Sequence, residues 1–212
     1  DTRRKILIGG AMVYTFYKAL GHGVGDCFVE EKAIPTAAEI VKRAAESDVI
    51  LRFATDLTVV PTRAYKVKQA KRVSMTDDSI LHDFEYCPRN VSYTDIPEHW
   101  TGVDIGPESV VAFSLELEEC NTIILSGPMG VVEEPDYSYG TLELLRKMER
   151  RTRMGAITIV CGGQTVAAIE EHNMHDFTHV SMGGGAALEL LGNRELPGVT
   201  ILNDEEEGME IL

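Results

Sequence analysis

Three glycine-rich segments hold the residues best suited to chemistry: Ser126-Gly127-Pro128-Met129-Gly130, Cys161-Gly162-Gly163-Gln164-Thr165 and Ser181-Met182-Gly183-Gly184-Gly185-Ala186. Each is read as a turn at the carboxyl end of a β-strand. A turn there leads into a helix N-terminus, whose unsatisfied N–H groups and positive dipole end attract an anion. One such turn is explained as well by glycine's tolerance of positive φ. Three in one sheet point to a phosphate site at the carboxyl edge of the strands. None is a P-loop or a dinucleotide fingerprint, because neither G-x-x-x-x-G-K-[ST] nor G-x-G-x-x-G occurs.

Other residues offer chemistry less directly. His172, His175 and His179 have zinc-compatible side chains and spacing, but Asp176-Phe177-Thr178 should leave a helix toward a strand, so the three rings are not expected to converge. Cys161 sits where a helix N-terminus could depress a thiol pKa; with no base identified for it, it reads as a small turn residue. Asp56 and Asp104 are expected to cap turns rather than act as an acid–base pair. Trp100 is expected to anchor the return of a long loop.

These residues need elements to position them. Short β-branched runs alternate with helix-period stretches, the pattern of parallel βαβ units. Ile6-Leu7-Ile8 is followed by Gly9-Gly10 and then by Met12, Val13, Phe16 and Leu20, which share a helical face. Pro35 and a capping box at Thr36-Ala37-Ala38-Glu39 predict the next helix. Val49-Ile50-Leu51, Thr122-Ile123-Ile124-Leu125 and Ala156-Ile157-Thr158-Ile159-Val160 read as further strands, apolar on both faces as covered parallel strands are. Helices are predicted between Asp104 and Cys120 and around Leu144, Leu145 and Met148, and a last strand at Val199-Thr200-Ile201-Leu202. The expected class is α/β, with a three-layer, doubly wound, mainly parallel, Rossmann-like sheet in one domain over residues 1–203. Residues 62–97 break the rhythm as a long polar excursion opening with Arg63, Lys66, Lys68, Lys71 and Arg72, either a solvated loop or a docking patch. Residues 204–212 form an acidic tail.

The 212 residues carry 34 acidic and 20 basic side chains, a formal charge of −14. That field repels nucleic-acid backbones and anionic lipid, so neither is an expected partner. No run approaches the roughly 18 apolar residues of a membrane span. Four scattered cysteines form no C-x-x-C pair. A cytoplasmic or other reducing intracellular compartment is expected.

Four stretches together resemble one family: Ile8-Gly9-Gly10-Ala11-Met12-Val13-Tyr14-Thr15-Phe16, Gly102-Val103-Asp104-Ile105-Gly106-Pro107, Gly127-Pro128-Met129-Gly130-Val131, and His179 through Leu191. In this order they look like the C-terminal, nucleotide-binding half of phosphoglycerate kinase, and Leu196-Pro197-Gly198-Val199 is similar to that family's ending. The resemblance implies a domain holding ADP or ATP with magnesium and, in a complete enzyme, reversible phosphoryl transfer between 1,3-bisphosphoglycerate and ADP. It implies that Gly9, Gly10, Gly102 and Val103 wall the adenine pocket, that Glu133 reaches the ribose, and that Pro128 and Val131 pack near the nucleoside. Gly162, Gly163, Thr165, Gly183, Gly184 and Gly185 would face the phosphates, with Gly163 and Gly185 as backbone donors.

The chain also departs from the family's pattern. Its G-G-G-D-T turn is Cys161-Gly162-Gly163-Gln164-Thr165 here, so the neutral amide of Gln164 stands where a magnesium-serving aspartate is usual, and hard cations prefer carboxylates. Ala11, Ser126 and Met182 also alter pocket walls. The family's substrate domain, with its phosphoryl-clamping arginine, and a glycine-rich segment with a phosphate-binding lysine would lie before Asp1. The chain alone is therefore expected to be inactive, completed by an N-terminal substrate domain or another protein, or else retained as an inert kinase-fold scaffold.

Overall fold

The computed structural model describes residues 4–74 and 87–202. The first unit runs β1 (Lys5–Ile8), α1 (Met12–Ala19), α2 (Ile34–Ala45) and β2 (Ile50–Phe53), with β1 and β2 parallel from Lys5 opposite Ile50 to Ile8 opposite Phe53. Between β1 and α1 the chain turns at Gly10, whose φ of +61° suits glycine; a Cβ there would lie 2.6 Å from the Pro128 carbonyl oxygen. Val13, Phe16 and Tyr17 of α1 are buried, and the Phe16 ring packs 5.2 Å from that of Phe53.

The predicted capping box at Thr36 is not formed. α2 begins at Ile34, straight after a 3-10 turn over Glu31–Ala33, so Pro35 falls in its first turn and Thr36 lies inside the helix. Proline's fixed φ and missing donor suit that first turn, and the preceding 3-10 turn delivers the chain into it.

β3 (Asp56–Pro61), α3 (Thr62–Ser74), β4 (Arg89–Ser92) and β5 (Trp100–Ile105) form a second unit, an antiparallel sheet in the order β4-β3-β5. Among the described residues, the expected excursion over 62–97 thus contains a helix and a strand. Its basic opening is α3, where Lys68 pairs with Glu134 at 3.0 Å and lies 4.7 Å from the Tyr137 ring centre, and β4 is a sheet strand. Trp100 opens β5 and holds the Arg89 guanidinium 4.9 Å from its ring centre.

The third unit runs α4 (Pro107–Glu118), β6 (Thr122–Ser126), α5 (Tyr139–Arg153), β7 (Ile157–Cys161), α6 (Gly163–Glu171), β8 (His179–Ser181) and α7 (Gly184–Leu191), with β6-β7-β8 parallel throughout. A short helix, α8 (Pro197–Thr200), replaces the strand expected at 199–202, because Pro197 in its first turn favours helix over a pleated run. The acidic tail from 204 lies outside the described residues. The class is α/β and Rossmann-like.

Two buried aspartates join these units. Asp56 on β3 accepts the N–H groups of Glu108 at 3.0 Å and Ser109 at 2.7 Å, plus the Ser109 hydroxyl at 2.5 Å, and so caps α4 from another element. Asp104 on β5 accepts the Gly140 N–H at the start of α5 at 2.7 Å and that of Ile105 at 2.9 Å. A carboxylate at a helix N-terminus satisfies donors that have no intrahelical partner and complements the dipole. Both residues therefore cap helix N-termini from another element, rather than the turns expected from their positions.

Candidate functional site

A cavity of 610 Å³ opens where the three units meet. One wall is Gly10, Ala11 and Tyr14 at the start of α1; another is Gly102, Val103 and Asp104 on β5; a third is the segment after β6, with Pro128, Met129, Gly130, Val131 and Glu133; Gln164 at the start of α6 closes one side. Of the residues assigned from resemblance to the base and ribose, Gly10, Gly102, Val103, Pro128, Val131 and Glu133 all line this cavity. Gly9 does not. Its Cα faces the Met129 thioether and the core residues Ile105 and Phe113, on the far side of the Met129 turn.

Sequence reasoning did not find Tyr65 and Gln69, which also line the cavity and are hydrogen-bonded to each other at 3.0 Å. They stand four residues apart on α3, a spacing that would have shown one helical face had 62–74 been read as a helix. Tyr14 was read only as part of a motif. Its phenol is buried and held protonated, its pKa pushed well above the usual value chiefly by burial. The Gly102 N–H donates to Cys27 Sγ at 3.2 Å, and burial raises that thiol to about 11. Asp104 forms part of the cavity's polar wall. Burial raises its carboxyl to about 7, against the lowering effect of the two N–H groups it accepts.

The residues expected to face the phosphates are not among those lining the cavity; the nearest of its walls to them is Gln164. The turns after β6, β7 and β8 touch one another: the Gly127 N–H donates to the Cys161 carbonyl at 3.2 Å, the Gly162 N–H to the Ser181 carbonyl at 2.9 Å, and a Cβ on Gly184 would be 3.4 Å from the Gly162 Cα. Gly162 has φ +104°, which brings the chain out of β7 directly into α6. The α6 ladder starts with the Val166 N–H bonded to Gly162, so the N–H groups of Gly163, Gln164 and Thr165 precede it; the α7 ladder starts at Ala187, leaving those of Gly184, Gly185 and Ala186 likewise. The Thr165 hydroxyl is fully buried and has no hydrogen-bond partner. A buried hydroxyl without a partner costs free energy. The backbone donors at the starts of α6 and α7 fit the phosphates of a nucleotide.

The fit to magnesium is poorer. The Gln164 side-chain amide donates to Glu133 Oε1 at 2.8 Å, bridging α6 to the segment after β6. An amide already donating to a carboxylate is a weak ligand for a hard cation. The Met182 methyl lies 3.7 Å from the position a Cβ on Gly163 would take, so an apolar group covers part of the rim. Among the described residues no group of three or more His, Cys, Asp or Glu side chains is gathered for a metal ion. His172 ends α6, His175 lies in the following loop and His179 opens β8. Cys161 is buried, and burial raises its thiol pKa, the opposite of nucleophile activation.

A family model described as phosphoglycerate kinase matches residues 1–194. Among curated proteins, the phosphoglycerate kinase of Thermosynechococcus vestitus is 39% identical over 201 residues, covering 94% of this chain and 46% of that protein. That of Synechococcus sp. strain JA-3-3Ab is 40% identical over 201 residues, with 94% and 44% covered. The chain spans about half the length of the curated relatives it matches. Among solved structures, phosphoglycerate kinase from Coxiella burnetii superposes with a TM-score of 0.74 at 27% identity, covering 93% of this chain and 46% of that one. The enzyme from Pyrococcus horikoshii gives 0.69 at 22% identity, a likeness of fold. No helix among the described residues is long and apolar enough to cross a membrane.

Proposed function

The chain belongs to the phosphoglycerate kinase family, and on that premise we propose that it is the nucleotide-binding half of such an enzyme, taking ADP or ATP at the rim formed by the turns after β6, β7 and β8. The adenine lies in the 610 Å³ cavity between the Gly10 turn, Gly102, Val103, Pro128 and Val131, with Glu133 accepting from the ribose hydroxyls. The phosphates lie over Gly162, Gly163, Gly183, Gly184 and Gly185. The observation that carries this reading is the pair of helix N-termini, α6 and α7, whose first backbone N–H groups stand outside the helical ladders beside the touching turns after β7 and β8.

The nucleotide supplies the phosphoryl group in a complete enzyme, where it is exchanged with 1,3-bisphosphoglycerate. Such transfer depends on in-line positioning and on neutralising charge spread over the phosphoryl oxygens. This chain's residues bind and orient: the glycine turns and the N–H groups of Gly163, Gln164 and Thr165 approach the phosphates, and Tyr14, Val103 and Met129 exclude water from the base. Among the described residues no arginine or lysine lines the cavity. Removing an arginine's charge stabilisation costs phosphoryl transfer about 10³–10⁵ in rate, so the chain alone is inactive and a substrate domain, or another protein that replaces it, completes the site. Gln164 favours a second reading, a kinase fold retained as an inert binding module, because the amide weakens the metal.

Calorimetric titration of the chain with ADP in EDTA and, separately, with ADP and excess Mg²⁺ tests this. ADP binding with an affinity changed less than about tenfold by Mg²⁺ is expected. No heat in either arm would overturn nucleotide binding, and a strong magnesium requirement would overturn the weakening assigned to Gln164.

A further inference from the structure

The molecule has two cavities beside the Met129 turn, and they differ in what they offer a ligand. The larger, of 650 Å³, is an apolar gap between β1 and β6, bordered by every residue of both strands. Among the described residues β1 pairs only with β2, and β6 only with β7, so that gap presents strand edges and mostly apolar side chains. The smaller, of 610 Å³, has polar side chains on several walls. One of those walls, α3 with Tyr65 and Gln69, has no part in holding the nucleotide as placed above.

Helix geometry puts this pair in the cavity. Residues four apart are neighbours on one helical face, and Tyr65 and Gln69 of α3 both line it. The Tyr65 ring packs on the buried cluster of Val60, Val103 and Tyr137, its centre 6.4 Å from that of Tyr137. That packing fixes the phenol, and the phenol orients its neighbour. The Gln69 side-chain N–H donates to the Tyr65 hydroxyl oxygen at 3.0 Å. A carboxamide has two N–H donors and a carbonyl acceptor, so with one donor on Tyr65 a second N–H and the carbonyl oxygen remain for a ligand.

Charge is kept off this wall. α3 carries Arg63, Lys66 and Lys68 in its first two turns, yet Lys68 pairs with Glu134 and Asp136, while Arg63 and Lys66 line a separate cleft beside Trp100. A basic helix therefore turns a neutral donor–acceptor pair toward the cavity. Such a pair suits the edge of a base rather than a phosphate. The cavity's other amide, Gln164, is bonded to Glu133 on the ribose side.

We propose that Gln69, oriented by Tyr65, reads the edge of the nucleotide base and selects adenine over guanine. This rests on the proposed function, since it requires a nucleotide whose base lies in this cavity. Walls that contact only the faces of a base accept any base, because each has a π-face. A carboxamide distinguishes edges: its oxygen accepts from the exocyclic amino group of adenine while its N–H donates to the adjacent ring nitrogen. The N7 and O6 edge of guanine presents two acceptors, so the Gln69 carbonyl oxygen would meet another acceptor. Matching the N1–H and O6 edge instead requires the amide to turn over and give up its N–H bond to Tyr65.

Calorimetric titration of the full chain with ADP and, separately, with GDP, both in EDTA, tests the proposal. The parent should bind ADP about tenfold or more tightly than GDP. Gln69→Leu, which removes both groups at similar volume, should bring the two affinities within about twofold with an unchanged circular dichroism spectrum. Gln69→Glu leaves acceptors alone, which match the N1–H and 2-amino donors of guanine, and should invert the preference toward GDP; a merely structural role for Gln69 would not produce that inversion. Tyr65→Phe, at the positioning residue, should lower the ADP to GDP ratio by about threefold or more. The proposal is overturned if the parent binds the two nucleotides equally, if the ratio survives Gln69→Leu, or if Gln69→Glu prefers ADP as the parent does. ADP binding without discrimination overturns this inference and leaves the nucleotide site standing, whereas no binding of either nucleotide overturns both.

Discussion

The two cavities share a wall, the turn at Pro128 and Met129, yet satisfy their backbones in opposite ways. Around the smaller one polar groups are engaged across elements: the N–H groups of Gly102, Gly140 and Met129 donate to Cys27, to Asp104 and, at 2.9 Å, to the Thr141 hydroxyl, and the Gln164 side-chain amide donates to Glu133. Around the larger one two strand edges stay open over an apolar floor of α4 and α5 side chains. A cavity whose rim is hydrogen-bonded is a preorganised place for a small polar molecule, whereas one bordered by open ladders leaves backbone donors and acceptors without ladder partners. Volume alone does not separate them.

The sharpest way to break this contrast uses neighbours on β6. Ile123 is 5% exposed, and Ile123→Ala should cost about 2–5 kcal/mol in urea unfolding of the chain. Ile124 is 40% exposed on the open side, and Ile124→Ala should cost less than about 1 kcal/mol. Equal losses would mean that the open face is already covered.

Gly10→Ala probes the shared wall. It forces a side chain into φ +61° with a Cβ 2.6 Å from the Pro128 carbonyl, for a loss of about 2–3 kcal/mol with weaker ADP binding. An unchanged midpoint would show that the two turns yield independently.

Asp104 adds a pH signature that the apolar gap lacks. Its folded value, about 7, lies above the ordinary 3.8 because burial disfavours the charge. Folding therefore favours the protonated acid: the stabilisation is complete below the unfolded value and is lost as pH rises from about 4 through about 7. Asp104→Asn should flatten this fall and raise stability at pH 8 relative to the parent by on the order of 2 kcal/mol. The check is denaturant unfolding of both proteins from pH 5 to 8; parallel curves would count against it.

The smallest expected effect is at the rim. Gln164→Asp replaces the amide with a carboxylate near Glu133, and Mg²⁺ should then strengthen ADP binding about tenfold more than in the parent. Calorimetry with and without the metal measures it. No difference would move the cause to Met182, whose methyl covers part of the same rim.

How much was legible follows from the range of the interactions. The strands β1, β2, β6 and β7 and the helices after them announce themselves by local apolar runs and glycine turns, and the meeting of the turns at Gly127, Gly162 and Gly184 follows from parallel strands ending on one edge. α3 and β4 were missed because a strongly basic, weakly amphipathic stretch carries no local pattern; they are held by β3 pairing and by the ion pair of Lys68 with Glu134. Capping was misread at Thr36, where an i to i+3 signature was outcompeted by Pro35, and was only partly anticipated at Asp56, which caps a helix 52 residues away.

The amino-acid sequence by itself determined the α/β class, the family and the order of the glycine turns, since these depend on composition, period and short motifs. Only the tertiary structure decided that Gly9 belongs to the core side of the Met129 turn, that Thr165 keeps a buried hydroxyl without a partner, that Gln164 is tied to Glu133, and that β1 and β6 face each other with empty hands. Each of these depends on which distant groups meet in space, and a one-dimensional pattern holds no distance between elements.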